Sequence, residues 1–555
     1  MRRDWVVGGP GRHGWLGALI AVLIGTQALP TAAAPAAVDW GRALVDATMR
    51  EHPDPTKLPW AYQWALFLHG QHLVWRRTRE PRYLAYLKAW GDAHVLPDGT
   101  AVDRDALGNP VPVAFRALDF LNPGRLAVTL FALTGEARYE RAARKVRDQF
   151  DAYPRTADGG FAHGRGVPGQ LWADGAYMST AFLLEYGQVF PDGGASRDEA
   201  ARQLEVYGRH LQDPSTGLLW HAFDESRRAP WADRVTGLSP AVWCRAVGWY
   251  GVALIDTLAA LPADHPRRAA LLDRLRRLAT GLARHQDRAS WRWFEVMDPP
   301  GAPLPGNWVE TSCSAMHAYV LARGVQRGWL GPHHQAPASQ GFQGVLDTVA
   351  LGADGLAVLE GTVIGTSVGD RAYYLARPRQ TNNVHGVGAF LLLHEQLARV
   401  PAGASLRWFE GEAGSLTAPL AVVTDSTASG NAVVLAHTGN DSLAGPPANG
   451  RARYAFTLAA PGRYKLWARV GAATERSNSY WVRIDGGAWR PWSLPVHGSL
   501  YWSFLRATAG PTPPTLLDLT AGRHVVELAY REHDTRLDKL LLTDALDLVP
   551  HGLGG

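Results

Sequence analysis

Apolar residues recur every three or four positions along most of the chain, which is the period of an amphipathic helix. The pattern is clear in Leu126–Leu133 and Ala253–Leu261, and it extends from Asp39 to about Val400. We therefore predict that residues 38–400 form one all-α domain.

A short repeat indicates how these helices are connected. The pattern T-x-E-x-R-Y occurs at Thr78–Tyr83 and again at Thr134–Tyr139, 56 residues later. Each copy lies between an apolar helix and an amphipathic one, so each marks the turn of a helical hairpin. Polar and aromatic residues also precede or open apolar helices at six places, namely Trp60, Asp119, Asp174, Ser239, Trp308 and Asn382.

Six hairpins predict an (α/α)6 barrel, or toroid, with six inner helices inside six outer ones. In such a barrel the six polar clusters lie at the same end and converge on one cavity. A helical solenoid with unrelated polar caps is the alternative, but a solenoid would show a stricter repeat.

The pattern changes to short β-rich runs after residues 401–405, a segment rich in Pro, Gly and Ala that we predict to be a linker. Tyr454–Leu458 and Tyr464–Val470 are examples, and Gly-rich turns separate such runs. Residues 406–549 are therefore predicted to form an all-β sandwich of the jelly-roll type.

The first 34 residues have the features of a secretory signal peptide. Early arginines precede an apolar run at Trp15–Leu29, and an Ala-rich segment follows. An uncleaved membrane anchor is the alternative, but the run is short for a membrane span. We expect a secreted or periplasmic protein with no membrane contact after cleavage.

Composition narrows the function further. The 555 residues are 46% apolar and 19% charged, with a formal net charge of +5, so the chain is neither disordered nor basic enough to suggest nucleic acid as a partner. The 22 tryptophans are the unusual feature, because indole faces stack well on flat partners such as sugar rings.

Five motifs carry the candidate chemistry, and they follow one another in a fixed order. They are GGF-x-H with His163, Q-x-W-x-D-G-x-Y-M with Trp172 and Asp174, GL-x-x-H-x-x-D with His221, W-x-R-A-x-GW with Arg245 and Trp249, and E-x-S-x-SAM from Glu310. Asp119 lies in a further segment, Ala117–Arg125, ahead of the second inner helix.

This ordered set closely resembles glycoside hydrolase family 105, the unsaturated rhamnogalacturonyl hydrolases, over about residues 40–400. The resemblance implies an (α/α)6 barrel that removes a 4,5-unsaturated uronic acid from the non-reducing end of oligosaccharides left by polysaccharide lyases. The expected substrate is a Δ4,5-galacturonosyl-rhamnose unit from pectin degradation.

The resemblance also implies roles for individual residues. Asp174 would protonate C4 of the enol ether and then accept a proton from the incoming water. We expect Trp172, Tyr177 and Asp119 to raise its pKa. Asp119 would orient the water or bind sugar hydroxyls. The remaining predicted substrate contacts are His163, His221, Arg245, Trp249, Trp60, Tyr62 and Trp172, with Arg245 forming a fork to the uronate carboxylate.

Several of these residues have structural alternatives. Asp119 could be a helix N-cap, His221 a core histidine and Arg245 part of a helix-to-helix ion pair. Five others are about as suited to structural roles as to ligand contact: Trp60, Trp64 and Trp308 to the core or rim, and Asp224 and Glu310 to bracing neighbouring helices.

Three positions depart from the family pattern. Gln63 stands where a glutamate is common, Gly164 where many members have lysine, and Cys244 where a glycine is usual. The first two leave the aglycone and the exact substrate open. Cys244 and Cys313 belong to neighbouring hairpins and could pair after export, although we favour free thiols.

The sandwich resembles carbohydrate-binding modules of the family 6 and 35 type. That resemblance implies a structural Ca²⁺ held by Glu410, Glu412 and Asp538, with surface charge as the alternative. The tryptophans 481, 489, 492 and 502 suit either a sugar-stacking face or the sandwich core. We expect polysaccharide as a partner of this domain and no cofactor for catalysis.

Two other functions remain open from the sequence. A polysaccharide lyase also processes uronate polymers on such toroids, but it creates the double bond that the hydrolase consumes. A non-catalytic glycan-binding protein would use both domains only to hold sugar.

Overall fold

The structure is a computed structural model that describes residues 38–297, 304–397, 403–506, 513–550 and 552–554. The predicted signal peptide, and residues 401 and 402 of the predicted linker, lie outside these ranges. The described residues from Asp39 onward belong to one compact unit. Within the described part of the chain, no helix has the length and apolar character that a membrane span requires.

The described residues of the N-terminal domain form thirteen α-helices. They are α1 (Trp40–Glu51), α2 (Tyr62–Thr78), α3 (Pro81–His94), α4 (Gly124–Thr134), α5 (Ala137–Asp148), α6 (Ala173–Val189), α7 (Ala195–Leu211), α8 (Cys244–Ala260), α9 (Arg268–His285), α10 (Thr311–Gln326), α11 (Gln335–Leu346), α12 (Arg371–Leu375) and α13 (Val384–Leu397).

Six of these helices form a closed inner ring. In the order α2, α4, α6, α8, α10 and α13, each packs against the next, and α13 returns to α2. The outer helices α3, α5, α7, α9 and α11 each follow and cover an inner helix, and α1 packs against α13. The predicted (α/α)6 toroid is confirmed.

The repeated motif lies at two of the hairpin turns. Thr78 Oγ1 and Thr134 Oγ1 donate to carbonyls one turn back, at 3.0 and 2.8 Å, and so satisfy helix C-termini. Tyr83 donates to Asp46 of the preceding outer helix at 2.7 Å, and Tyr139 donates to Asp92 at 2.6 Å. The motif therefore both ends an inner helix and ties adjacent outer helices together.

Short antiparallel pairs lie in the loops that connect the hairpins. They are β1 (Val102–Arg104) with β2 (Pro110–Pro112), β3 (Gln170–Trp172) with β4 (Ala222–Asp224), β5 (Trp293–Phe294) with β6 (Val309–Glu310), β7 (Val349–Leu351) with β8 (Ala357–Leu359), and β9 (Thr362–Val363) with β10 (Arg379–Gln380). Several precede inner helices and carry side chains to the N-terminal end of the ring.

The C-terminal residues form two antiparallel sheets, as predicted. The larger contains β11 (Leu406–Glu410), β13 (Leu420–Thr424), β14 (Ala432–Ala436), β16 (Gly462–Ala472), β19 (His497–Phe504), β20 (Leu516–Leu519) and β22 (Arg536–Thr543). The smaller contains β12 (Ser415–Leu416), β15 (Arg451–Leu458), β17 (Ser479–Ile484), β18 (Arg490–Ser493) and β21 (Gly522–Tyr530). Inward and outward residues alternate strictly along β15, which leaves one face of that sheet to the sandwich core.

The sandwich packs directly on the barrel. Trp467, Trp502 and Leu541 of the larger sheet belong to the same apolar core as the helices. Polar contacts border this junction, where Gln326 Nε2 donates to the Asp547 carbonyl at 2.9 Å. The two domains therefore share a core, which the prediction of a separate module joined by a linker did not anticipate.

Candidate active site

The strand pair β3–β4 brings two distant motifs together at the start of α6. The Ala173 amide donates to the His221 carbonyl at 2.8 Å, while the His163 amide donates to the Gln170 carbonyl at 2.8 Å. Asp174, in the first turn of α6, therefore lies between two histidines from different hairpins. This convergence at one end of the inner ring is the arrangement that the toroid predicts.

Asp174 is buried, with 8% of its surface exposed, and its carboxylate Oδ2 lies 3.0 Å from His221 Nε2. Burial works to raise the pKa of Asp174, but the charge and hydrogen bond of His221, together with His163, outweigh it and lower the pKa. The expectation of a raised pKa for Asp174 is therefore wrong for the free protein, because sequence alone did not reveal this histidine contact.

Asp119 precedes α4 and faces one of these histidines, His163. The Leu118 amide donates to the His163 carbonyl at 3.0 Å, and His163 Nε2 lies 4.0 Å from Asp119 Oδ2. Burial, reinforced by the charge of Asp174, raises the pKa of Asp119 despite the opposing His163. Its Oδ1 is buried and has no hydrogen-bond partner. In the described part of the chain Asp119 accepts no helix-capping bond, so its contacts do not support the N-cap alternative.

Aromatic rings pack against the two histidines beside these carboxyls. Trp172 stacks on His163 with a centroid separation of 4.2 Å and an interplanar angle of 4°. Trp243 lies 4.8 Å from the His221 ring, which has no exposed surface. His221 is thus buried with both ring nitrogens bonded to protein side chains, which favours the core-histidine alternative over the predicted substrate contact.

Tyr62 and Trp249 form a second aromatic group at this end of the ring. The Tyr62 hydroxyl lies 2.9 Å from His385 Nε2, and the Tyr62 ring meets Trp249 edge to face at 6.2 Å. Trp249 has no exposed surface and stacks on Tyr177 at 4.7 Å. The prediction that Trp249 contacts substrate is therefore not supported, whereas Tyr62 keeps part of its surface exposed.

Arg245 is committed to partners within the protein. It is 1% exposed, and its Nε donates to Ser312 Oγ at 2.7 Å. Its guanidinium also contacts Glu310 at 3.3 Å and the backbone carbonyls of Val363 and Ile364. These contacts favour the helix-to-helix ion pair over the predicted fork to a uronate carboxylate, because the fork needs free N–H groups.

Trp60 is also a structural residue. It is 1% exposed, its Nε1 donates to the Phe120 carbonyl at 2.9 Å, and its ring stacks on Trp90 at 5.4 Å. The prediction of a substrate contact is therefore corrected to a core position. Trp308 remains partly exposed, with the guanidinium of Arg379 lying 4.9 Å from its ring centroid.

The two carboxylates left open by the sequence brace the loops. Glu310 caps α10 through the Cys313 amide at 2.6 Å and also accepts the Val363 amide at 3.0 Å. Asp224 accepts the amides of Arg228 and Ala229 at 2.8 and 2.7 Å. Both therefore have structural roles in the loops at the N-terminal end of the ring.

Cys244 and Cys313 form a disulfide, so the preference for free thiols is wrong. The bond joins the first residue of α8 to the first turn of α10, one residue from both Arg245 and Ser312. The spacing along the sequence could not show that α8 and α10, two adjacent inner helices, begin at the same level along the barrel axis.

Two of the three predicted calcium ligands of the sandwich pair with protein cations. Asp538 is fully buried and pairs with Arg469, while Glu410 pairs with Lys539 at 2.8 Å. In the described ranges, the histidine, cysteine and acidic groups close enough to share a metal ion do not include Glu410, Glu412 and Asp538. Oε2 of Glu410 and Oε2 of Glu412 are nevertheless buried without a hydrogen-bond partner, so a structural Ca²⁺ at this set stays a prediction.

The predicted tryptophan face of the sandwich is divided. Trp492 and Trp502 are each 1% exposed, and Trp502 belongs to the junction with the barrel, so neither offers a stacking face. Trp481 and Trp489 stay partly exposed, with the guanidiniums of Arg451 and Arg483 within 4.6 Å of the Trp489 ring centroid.

Two residues of the site were missed. Tyr374 lies 2.6 Å from His221 Nδ1, and His385 lies beside Tyr62. His385 follows the Asn382 cluster by three residues, so the start of the sixth inner helix was a signal for it. Tyr374 lies on the short helix α12, between irregular segments, and no periodicity indicated it.

Comparison with known proteins provides independent information on this arrangement. The family model described as Glycosyl Hydrolase Family 88 matches residues 40–400. The chain is 37% identical over 233 residues to Protein Atu3128 of Agrobacterium fabrum, a match that covers 40% of this chain and 97% of that protein.

Two further relatives have more informative names. Unsaturated rhamnogalacturonyl hydrolase YesR of Bacillus subtilis is 27% identical over 268 residues, which is 47% of this chain and 70% of that protein. The solved structure of a glycoside hydrolase from family 105 of C. acetobutylicum has 32% sequence identity and a TM-score of 0.59, and the match covers 64% of this chain and 99% of that one.

Proposed function

The chain belongs to glycosyl hydrolase family 88 and is a glycoside hydrolase, and on that premise we propose that it removes a 4,5-unsaturated galacturonic acid from the non-reducing end of lyase-generated oligosaccharides. The sugar at the next position is proposed to be rhamnose, as in fragments of pectin. The name of the Bacillus relative supports this choice of substrate.

One observation supports the proposal most directly. Asp119 and Asp174 belong to different hairpins, yet both face His163 at one end of the inner ring. Each carboxyl also influences the other, since the charge of Asp174 helps to raise the pKa of Asp119. When the pKa values of two neighbouring carboxyls are displaced in opposite directions, one can act as the acid while the other acts as the base.

The chemistry requires one proton donor and one water molecule. A proton added to C4 leaves an oxocarbenium-like centre at C5, and water adds there while losing a proton to a carboxylate. The resulting hemiketal opens to a ketone at C5, and the remaining hemiacetal at C1 releases the second sugar. The glycosidic bond therefore breaks without attack at C1, unlike the usual two-carboxylate schemes.

We assign both proton transfers at the substrate to Asp174 and the storage of the proton to Asp119. In the free protein the pKa of Asp174 is lowered and the pKa of Asp119 is raised, so Asp119 binds a proton more readily than Asp174 does. A bound uronate places another negative charge beside Asp174 and excludes water, and both effects raise a carboxyl pKa. Substrate binding would then shift the shared proton from Asp119 towards Asp174.

The proposal extends to the surroundings of the enzyme. Export to the periplasm or the medium follows from the predicted signal peptide, and oxidation of Cys244 and Cys313 suits an oxidising compartment. We also propose that the sandwich contacts polysaccharide through its partly exposed Trp481 and Trp489.

An absorbance trace tests the reaction class. Pectin oligosaccharides prepared with a lyase should lose their enol-ether absorbance when the protein is added, and a chelator should leave the rate unchanged because the proposed steps use carboxyls and water. A rise in absorbance on intact polymer would instead identify a lyase. Tight binding with constant absorbance on galacturonosyl and glucuronosyl substrates would identify a glycan-binding protein.

A further inference from the structure

The short helix α12 places a buried tyrosine behind His221. Tyr374 has no exposed surface, and its hydroxyl lies 2.6 Å from His221 Nδ1, although 153 residues separate the two along the chain. Its ring lies parallel to Trp243 at 5.9 Å, which restricts its orientation. Tyr374 therefore contacts the histidine on the side opposite Asp174.

His221 connects this tyrosine to the carboxylate. Its Nε2 lies 3.0 Å from Asp174 Oδ2, and the ring is fully buried. When His221 is charged, both ring nitrogens donate; when it is neutral, it has one N–H, and the nitrogen that carries the hydrogen then decides whether Asp174 meets a donor or an acceptor. With no solvent at the ring, the partners of the two nitrogens, Asp174 at Nε2 and Tyr374 at Nδ1, control that choice.

The contacts of Tyr374 favour one tautomer. The Gly369 amide donates to the Tyr374 hydroxyl oxygen at 3.1 Å, which leaves the hydroxyl hydrogen free to point at Nδ1. Burial raises the pKa of Tyr374, so the phenol stays protonated and able to donate. An Nδ1 that accepts this bond places the imidazole hydrogen on Nε2, where it faces Asp174.

We propose that Tyr374 is a positioning residue that holds His221 as the Nε2–H tautomer, so that His221 donates to Asp174 Oδ2. The other carboxylate oxygen, Oδ1, has no side-chain partner among the described residues and is left to carry the proton exchanged with the substrate. The inference rests on the proposed function only in that the reaction's proton passes through Asp174.

Loss of the Tyr374 hydroxyl would allow His221 to adopt the other tautomer, with its hydrogen on Nδ1. Nε2 would then be an acceptor and would draw the proton of Asp174 onto Oδ2, away from the substrate. Because substrate contacts are unchanged, the effect should fall on the chemical step and leave binding largely intact.

Kinetics of Tyr374→Phe test this coupling. We expect kcat to fall about tenfold while KM changes less than about threefold. Tyr373→Phe is the matched control, because the Tyr373 hydroxyl accepts the Ser367 amide at 3.1 Å and belongs to a neighbouring ring. In a His221→Gln background, which has no tautomers, Tyr374→Phe should have no further effect. An equal loss in both backgrounds would overturn the inference.

The tautomer can be measured without any substrate. In ¹⁵N-histidine-labelled protein, with His221→Gln used to assign the signal, His221 should carry its hydrogen on Nε2 and shift towards Nδ1–H in Tyr374→Phe. A wild-type His221 with hydrogen on Nδ1 would overturn the inference even if the variant does not fold. If the tautomer is as expected but no unsaturated sugar is hydrolysed, the proposed function fails and Tyr374 still sets the tautomer.

Discussion

Asp174 combines burial with a histidine donor, and this combination keeps it in a defined orientation. His221 approaches only one of its oxygens, at 3.0 Å, while Trp172 and His163 stack beside it. A carboxyl that donates and then accepts a proton needs such a fixed position, because proton transfer depends on hydrogen-bond distance before it depends on pKa.

Asp174→Asn should remove activity without removing the fold. An amide oxygen can still accept from His221, so we expect only a small change in thermal stability, but an amide cannot carry the proton. The rate on an unsaturated disaccharide should fall by about 10³ or more. Asp198→Asn, at a site whose side chain is 66% exposed, is the control and should keep full activity. More than a tenth of the activity remaining in Asp174→Asn would contradict the assignment.

The motifs in the sequence located most of these side chains but not their partners. Asp119, His163, Asp174 and His221 come together as expected, because each opens or precedes an inner helix. The lowered pKa of Asp174 could not be predicted, since it depends on a hydrogen bond between hairpins. Arg245 was misassigned for a related reason, because its partner Glu310 is the residue that caps another inner helix, α10.

At the scale of helices, the hairpins were predictable and their cross-links were not. Helical periodicity and the T-x-E-x-R-Y turns identify the ring, since an inner helix must be apolar on almost every side, as α8 is. The disulfide between α8 and α10 depends on how the two helices are aligned along the barrel axis, and no sequence pattern indicates that alignment.

Replacing Cys244 and Cys313 with alanine should destabilise the protein by about 2–4 kcal/mol, because the bond closes a loop between residues 69 apart. Chemical denaturation of the oxidised protein and of the double variant measures the difference. The loss should be largely absent when both proteins are compared under strong reductant. Equal stability of the oxidised protein and the variant would mean that the bond does not form in solution.

At the scale of the whole molecule, the sandwich is part of the barrel's core. Trp467 and Trp502 pack against the helices, and Lys465, with 1% of its surface exposed, has its Nζ 4.9 Å from the Trp467 ring centroid. The strand pattern predicted the sandwich itself, because alternation marks its inner face. The strand pattern did not reveal which residues on the outer face of the sandwich contact the barrel. The sequence does not distinguish an apolar residue exposed on that face from one that the barrel covers.

Lys465 makes this junction sensitive to pH. Burial lowers the pKa of Lys465 to about 7, although its Nζ donates to the Leu546 carbonyl at 2.6 Å. Between pH 7 and the ordinary lysine value of 10.5, the unfolded chain binds the extra proton. The free energy of unfolding should therefore rise with pH in this window, by at most about 1.4 kcal/mol per unit.

Lys465→Met should remove this dependence. The variant should be more thermally stable than the wild type near pH 6.5. This difference in stability should be smaller at pH 9.5. Thermal denaturation across this range checks it, with Lys57→Met as the control because that side chain is 81% exposed. If the difference in stability between the wild type and the variant does not change with pH, the pKa of Lys465 is not lowered by burial.

The reaction in D₂O tests the central claim most directly. If Asp174 protonates C4, the sugar released from an unsaturated disaccharide should contain one deuterium at C4, on a single face, and product should form at the rate at which the enol-ether absorbance disappears. Release of a sugar whose C4=C5 bond is intact, or deuterium spread over both faces of C4, would contradict the account.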